Sequence, residues 1–143
     1  MSYAHEDANL LQPLKKHLRI LERQGLVTVW SDSEIQPGSE WRKEIDAHLK
    51  SAQLILLLIS PDLLDSDFIW SIEMAHAIER HDAGTARVVP VILRECMWQT
   101  APFGRLNALP RGGQALTQAD DIDKALAGVV KEVYDLITAA RRQ

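Results

Sequence analysis

Helical and strand periods alternate along the chain. Leu10, Leu11, Leu14, Leu18 and Leu21 recur at helical spacing, and Gly25 follows as a natural stop. Pro13 lies inside that pattern, so either the helix begins near it or the helix kinks there. Leu26–Trp30 alternates and is rich in β-branched residues, which predicts a strand. Ser31–Ser39 is polar, carries a Pro37-Gly38 turn signal and reads as a loop. Trp41, Ile45 and Leu49 then stack at i, i+4 and i+8, predicting a helix over Trp41–Ala52. Leu54–Ser60 is apolar without interruption, as in a strand of a parallel sheet covered on both faces. A helix over Phe68–His81, ended by Asp82-Ala83-Gly84, precedes a strand over Val88–Leu93. Pro90 removes a ladder donor and argues for a position at or near an edge. Trp98–Gly113 reads as a loop, Gln114–Thr117 as a short strand, and Asp121–Arg142 as a closing amphipathic helix.

Strands alternating with helices imply βαβ units with right-handed crossovers and a parallel sheet. Such a chain should open with an apolar strand, yet only Met1-Ser2-Tyr3 precedes the polar Ala4-His5-Glu6-Asp7. In a flavodoxin-like strand order of 2-1-3-4-5 the first strand pairs on both sides, and its loss would leave two neighbours with unpaired backbone. The expectation is an α/β, flavodoxin-like three-layer domain whose first strand is truncated and is completed by upstream residues or by a partner.

The totals narrow the class. At 143 residues the chain fits one domain, 1–143, with room for a proper core. A net charge of −4 with both signs interspersed offers no basic stripe for nucleic acid. The longest apolar run, Leu54–Ile59, is too short to cross a bilayer, and no secretory signal opens the chain. A single cysteine, Cys96, excludes an internal disulfide and fits a reducing, cytoplasmic compartment. The histidines at 5, 17, 48, 76 and 81 lack metal-ligand spacing, so no metal site is expected. Neither a G-x-S-x-G elbow nor a glycine-rich phosphate loop is present. Glu6-Asp7 is the nearest acidic pair to the end of a first strand, but no lysine is placed to complete a phosphoacceptor site.

The order of landmarks resembles one family. Ser2-Tyr3-Ala4-His5-Glu6-Asp7 looks like the end of the first strand and the following loop in bacterial TIR (Toll/interleukin-1 receptor) domains. Trp30-Ser31-Asp32, Ile35 and Pro37-Gly38-Ser39-Glu40-Trp41 resemble the family's BB loop running into its second helix. Ile59-Ser60-Pro61 and Ser66-Asp67-Phe68-Ile69-Trp70-Ser71-Ile72-Glu73-Met74 resemble its third strand and the helix that bears its catalytic glutamate. Val89-Pro90-Val91-Ile92-Leu93 and Trp98 through Pro110 complete the pattern. Besides the truncated first strand, one further departure stands out. Many relatives have cysteine three residues before the glutamate, after an aromatic; here Trp70 and Ile69 hold those places.

The resemblance implies an enzyme that cleaves NAD⁺ at the nicotinamide–ribose bond, with Glu73 catalytic. It implies no cofactor, NAD⁺ being the substrate, and activation by self-association in bacterial immune signalling. Read as part of one helix, Glu73 falls inside the apolar arc of Ile69, Trp70, Met74, Ala77 and Ile78, where a carboxylate costs desolvation unless paired. From position alone it fits a structural acid with Arg80 as partner as well as it fits a reactive group. Asp32 and Ser33 are candidates to line the mouth of the site, and Tyr3 and Trp70 to stack on a substrate ring, though a core role suits Trp70 equally. The alternative class is a non-catalytic TIR–TIR interaction module. Its docking loop would carry Ile35, Pro37 and Gly38, with Trp41 anchoring the helix behind it.

Overall fold

The structure, a computed structural model, describes residues 1–27, 33–35 and 53–141, with backbone alone at 33–35, 140 and 141. Among the described residues, four strands, β1 (Ser2–Ala4), β2 (Ser33–Ile35), β3 (Leu54–Ile59) and β4 (Arg87–Ile92), form one parallel sheet in the order β2-β1-β3-β4. The described helices are α1 (Ala8–Arg23), α2 (Pro61–Leu64), α3 (Ile72–Asp82) and α4 (Ile122–Arg141). Short 3₁₀ turns occupy His5–Asp7, Asp67–Trp70 and Leu116–Gln118.

Strand alternation divides the apolar side chains between two layers. Tyr3, Leu56, Leu58, Val89 and Val91 pack with α1 and α4 through Leu11, Leu14, Leu18, Leu126, Val129 and Val133. Ala4, Ile55, Leu57, Ile59, Val88 and Ile92 pack on the other face with Met74, Ala77 and Ile78 of α3 and with Phe68 and Phe103. Because both faces are covered, β3 is apolar throughout, as its sequence predicts. This is the three-layer α/β architecture.

The first strand is short and pairs on both sides. Its three residues pair with Ser33, Glu34 and Ile35 on one side, and Ser2 pairs with Leu57 on the other. Pro90 sits where its missing N–H costs nothing. Leu93 N–H bonds to Ile59 O at 2.9 Å on the β3 side, whereas Ile92 N–H and Pro90 O face outward to Leu109 at 2.8 Å each. The absent donor of Pro90 therefore belongs to the outer edge, and Val88 N–H on that edge is taken by His81 Nδ1 at 2.9 Å. The place of a fifth strand is held by a single parallel bridge, Val91 with Leu109.

Several boundaries differ from the sequence reading. Ser33–Ile35, expected within a loop, is strand β2, and Leu26 and Val27 lie outside any strand; the rest of Leu26–Trp30 and the Trp41–Ala52 helix fall outside the described residues. Pro13 neither starts nor ends α1, which runs from Ala8 through an exposed Pro13 to a Schellman end. There Gly25, at φ 72°, lets Gly25 N–H reach Glu22 O and Leu26 N–H reach Leu21 O, each at 3.0 Å. Gln114–Thr117 is not a strand, since Leu116–Gln118 turns as 3₁₀. Phe68–His81 is not one helix. Ser71 takes an extended ψ of 161°, ending the 3₁₀ turn and capping α3.

Candidate active site

In a parallel sheet every strand delivers its following residues to the same edge, and that carboxyl edge is where open α/β folds bind ligands. Here the edge receives Asp7 after β1, Ser60 and Asp62 after β3, and Arg94 after β4. These four side chains meet. Arg94 Nε donates to Asp7 Oδ1 at 2.9 Å, Ser60 Oγ donates to Asp7 Oδ2, and Arg94 Nη2 donates to Asp62 Oδ2. Asp7 is 1% exposed and Ser60 fully buried, whereas the side chains of Arg94 and Asp62 are 34% and 39% exposed. Burial alone would lower the pKa of Arg94; its bonds to Asp62 and Asp7 and their charges overcome that and hold the guanidinium above its ordinary value.

Ser60 also begins the segment that leads to Glu73. Its Oγ accepts from Leu63 N–H at 3.2 Å and so caps α2, whose first residue, Pro61, has no N–H to satisfy. Ser66 Oγ donates to Leu63 O at 2.6 Å, Ser71 Oγ donates to Phe68 O at 2.7 Å, and Ser71 Oγ accepts from Met74 N–H at 3.1 Å. Three serines therefore fold the connection into successive capped turns. Fully buried Phe68 and Leu63 pin it to the core.

Glu73 stands in the first turn of α3, where the positive end of the helix dipole favours a carboxylate. The crossover from β3 to β4 fixes which end of the sheet this is. His81, in the last turn of α3, touches the start of β4. Glu73, eight residues earlier and so about 12 Å back along the axis, lies toward the carboxyl edge. Its side chain is half-buried and makes no hydrogen bond or ion pair among the described residues. Trp70 and Ile72 beside it are 66% and 72% exposed. The continuous apolar arc expected around Glu73 is thus broken. Ile69 is buried from the 3₁₀ turn while Trp70 points outward, because the backbone changes direction at Ser71.

The other candidates separate. Tyr3 is 6% exposed and packs with Leu11, Leu14 and Leu18 in the α1–α4 layer. Ser33 and Ile35 bound β2, and Asp32, Pro37, Gly38 and Trp41 lie outside the described residues. Arg80 donates to Thr85 O at 3.2 Å at the far end of α3. The Asp7–Ser60–Asp62–Arg94 group was not anticipated as a unit, because its members lie up to 87 positions apart. Ser60-Pro61 carried a local signal, a capping serine followed by proline at the first helical position. No helix among the described residues is long and apolar enough to cross a membrane.

Comparison with known proteins adds a family. The profile of a family described as TIR domain matches residues 1–126. The chain is 47% identical over 134 residues to "Uncharacterized protein y4lF" of Sinorhizobium fredii (strain NBRC 101917 / NGR234). That match takes in 94% of this chain but only 42% of the length of the relative. No solved structure matches the chain.

Proposed function

The chain belongs to the TIR domain family, and from that premise we propose that it cleaves NAD⁺ at the nicotinamide–ribose bond with Glu73 as the catalytic carboxylate. TIR domains serve in signal transduction and commonly self-associate, and some members are NAD⁺-cleaving enzymes. The observation that carries the reading is the placement of Glu73. It is a half-buried carboxylate toward the carboxyl edge of the sheet, the end at which open α/β folds bind ligands, with no partner among the described residues to consume its charge.

The chemistry needs little more. Nicotinamide leaves with the electron pair of the C1′–N bond, which neutralises its cationic ring nitrogen, so no general acid is required. The sugar becomes oxocarbenium-like, and a nearby carboxylate stabilises that developing positive charge. Water attacking C1′ and losing a proton gives ADP-ribose; an adenine nitrogen attacking instead gives cyclic ADP-ribose. The exposed indole of Trp70 beside Glu73 offers a flat apolar surface to a substrate ring. On this reading the domain is a cytoplasmic effector in bacterial immune signalling, switched on when copies associate.

A second reading, the non-catalytic interaction module, draws on the same exposure of Trp70 and Ile72. The two separate in one experiment. The protein is clustered on beads at high density and NAD⁺ and nicotinamide are followed by chromatography, with Glu73→Gln alongside. Loss of NAD⁺ that Glu73→Gln abolishes supports the enzyme, and the product peak distinguishes hydrolysis from cyclisation. Stable NAD⁺ under clustering, or equal loss in both proteins, sinks it.

A further inference from the structure

Nothing in the chemistry above uses the buried Asp7 carboxylate, although its surroundings are fully organised. Both of its oxygens are occupied, by Arg94 and by Ser60. From Ser60 the hydrogen bonds run on in two groups, joined through the backbone at Asp67. Ser60 caps α2 at Leu63, Ser66 closes on Leu63 O, and Ser71 joins Phe68 O to the first turn of α3. Arg94 reaches the same segment a second time through Asp62. The short segment from Ser60 to Ser71 is therefore held at its start by residues from the ends of β1 and β4, and Glu73 follows two residues after its last serine.

We propose that Asp7 and Arg94 are positioning residues for Glu73: together they fix the Ser60–Ser71 segment and with it the place at which α3 begins. This rests on the reading of Glu73 as the catalytic carboxylate. Neither residue acts on substrate. Their effect is on where the carboxylate stands, and a displacement of about 1 Å at a reacting group can cost on the order of a hundredfold in rate.

The test has two arms, using Asp7→Asn, which keeps the side-chain shape, Arg94→Gln, and the conservative Arg94→Lys. Arg105→Gln is the control, since Arg105 forms a bidentate pair with Asp82 at the opposite end of α3, at 2.7 and 3.0 Å. In the first arm, NAD⁺ cleavage by clustered protein should lose roughly ten- to a hundredfold in kcat in Asp7→Asn and Arg94→Gln, with KM little changed. Arg94→Lys should recover part of the loss, and Arg105→Gln should match wild type. In the second arm, amide hydrogen exchange read by mass spectrometry should show a loss of protection over residues 61–74 that exceeds any loss in α1 and α4. A rise in KM at constant kcat overturns the proposal, as do unchanged protection over 61–74 and a loss spread evenly over the chain. If wild type leaves NAD⁺ intact, or Glu73→Gln cleaves it normally, the catalytic reading falls. The exchange arm then decides the positioning of residue 73 by itself, by the same criteria.

Discussion

Removing Asp7 should cost far more stability than removing Asp62, although the same arginine contacts both. In Asp7→Ala the 2.9 Å bond from Arg94 Nε is lost, and the Ser60 hydroxyl, fully buried, loses its acceptor. A hydrogen bond to a charged group contributes about 1.5–3 kcal/mol, and an orphaned buried donor costs about 1–3 kcal/mol. Arg94 itself is not stranded, since a third of it meets solvent and Asp62 remains. The sum therefore sits near the lower end, at roughly 3 kcal/mol. Asp62→Ala breaks a pair whose two side chains are 34% and 39% exposed, for which solvent screening leaves about 0–1 kcal/mol. Urea unfolding followed by far-ultraviolet circular dichroism measures both. With a slope of about 1–3 kcal/mol/M, Asp7→Ala should lower the midpoint by at least about 1 M at unchanged slope. Asp62→Ala should lower it by a small fraction of that. Equal midpoints for the two variants, or an Asp7→Ala midpoint indistinguishable from wild type, would refute the argument that burial decides the worth of each carboxylate.

Other expectations follow from local geometry. A Cβ on Gly104 would stand 2.1 Å from Gln99 O and 2.9 Å from Trp98 O, both backbone atoms. Gly104→Ala should therefore destabilise by about 1–3 kcal/mol, or more if the loop cannot yield, and a thermal melt that matches wild type would contradict that packing. His81 accepts Val88 N–H at Nδ1, and burial, then the charge of Arg87, lowers its pKa, with Asp82 opposing and Arg105 adding a smaller lowering. Because the folded pKa lies below the unfolded value of about 6.5, the neutral ring's contribution is whole above that pH and is lost as pH falls toward and through the folded pKa. Nuclear magnetic resonance titration of the imidazole should find its midpoint below that of a free histidine, and a midpoint above it would reverse the sign. Ser71→Ala removes the α3 cap and should cost about 1 kcal/mol, while Ser71→Asp should restore most of it in the same melt.

What the sequence made legible, and what it hid, follows the range of the forces involved. β3 and α4 were readable because their apolar periods record burial directly, residue after residue. The edge position of Pro90 was readable because one missing donor constrains one side of one strand. The beginning of the Phe68–His81 pattern departs from the expected helix for a local reason. Ile69, Met74, Ala77 and Ile78 keep a nearly helical spacing, and periodicity cannot see that Ser71 turns away to cap the helix rather than continue it. The strand at Ser33–Ile35 was hidden by its polar composition, since three residues at a sheet margin owe their conformation to the β1 ladder rather than to propensity. Glu73 is singled out by the family resemblance alone, and the turn at Ser71 that sets its surroundings leaves no periodic signal. The aspartate that anchors the segment before it reads from the sequence only as half of an acidic pair, Glu6-Asp7, at the end of β1. Its partners arrive from β3 and β4, and no periodicity links them. What brings them together is the parallel sheet itself, which sends three distant strand ends to one edge. Once order and direction of the strands are granted, the residues just past β1, β3 and β4 are the ones to compare, and Asp7, Ser60 and Arg94 stand there with complementary charge and hydrogen-bonding capacity. This group is thus encoded one level above the motif, in topology acting on residues that are individually ordinary.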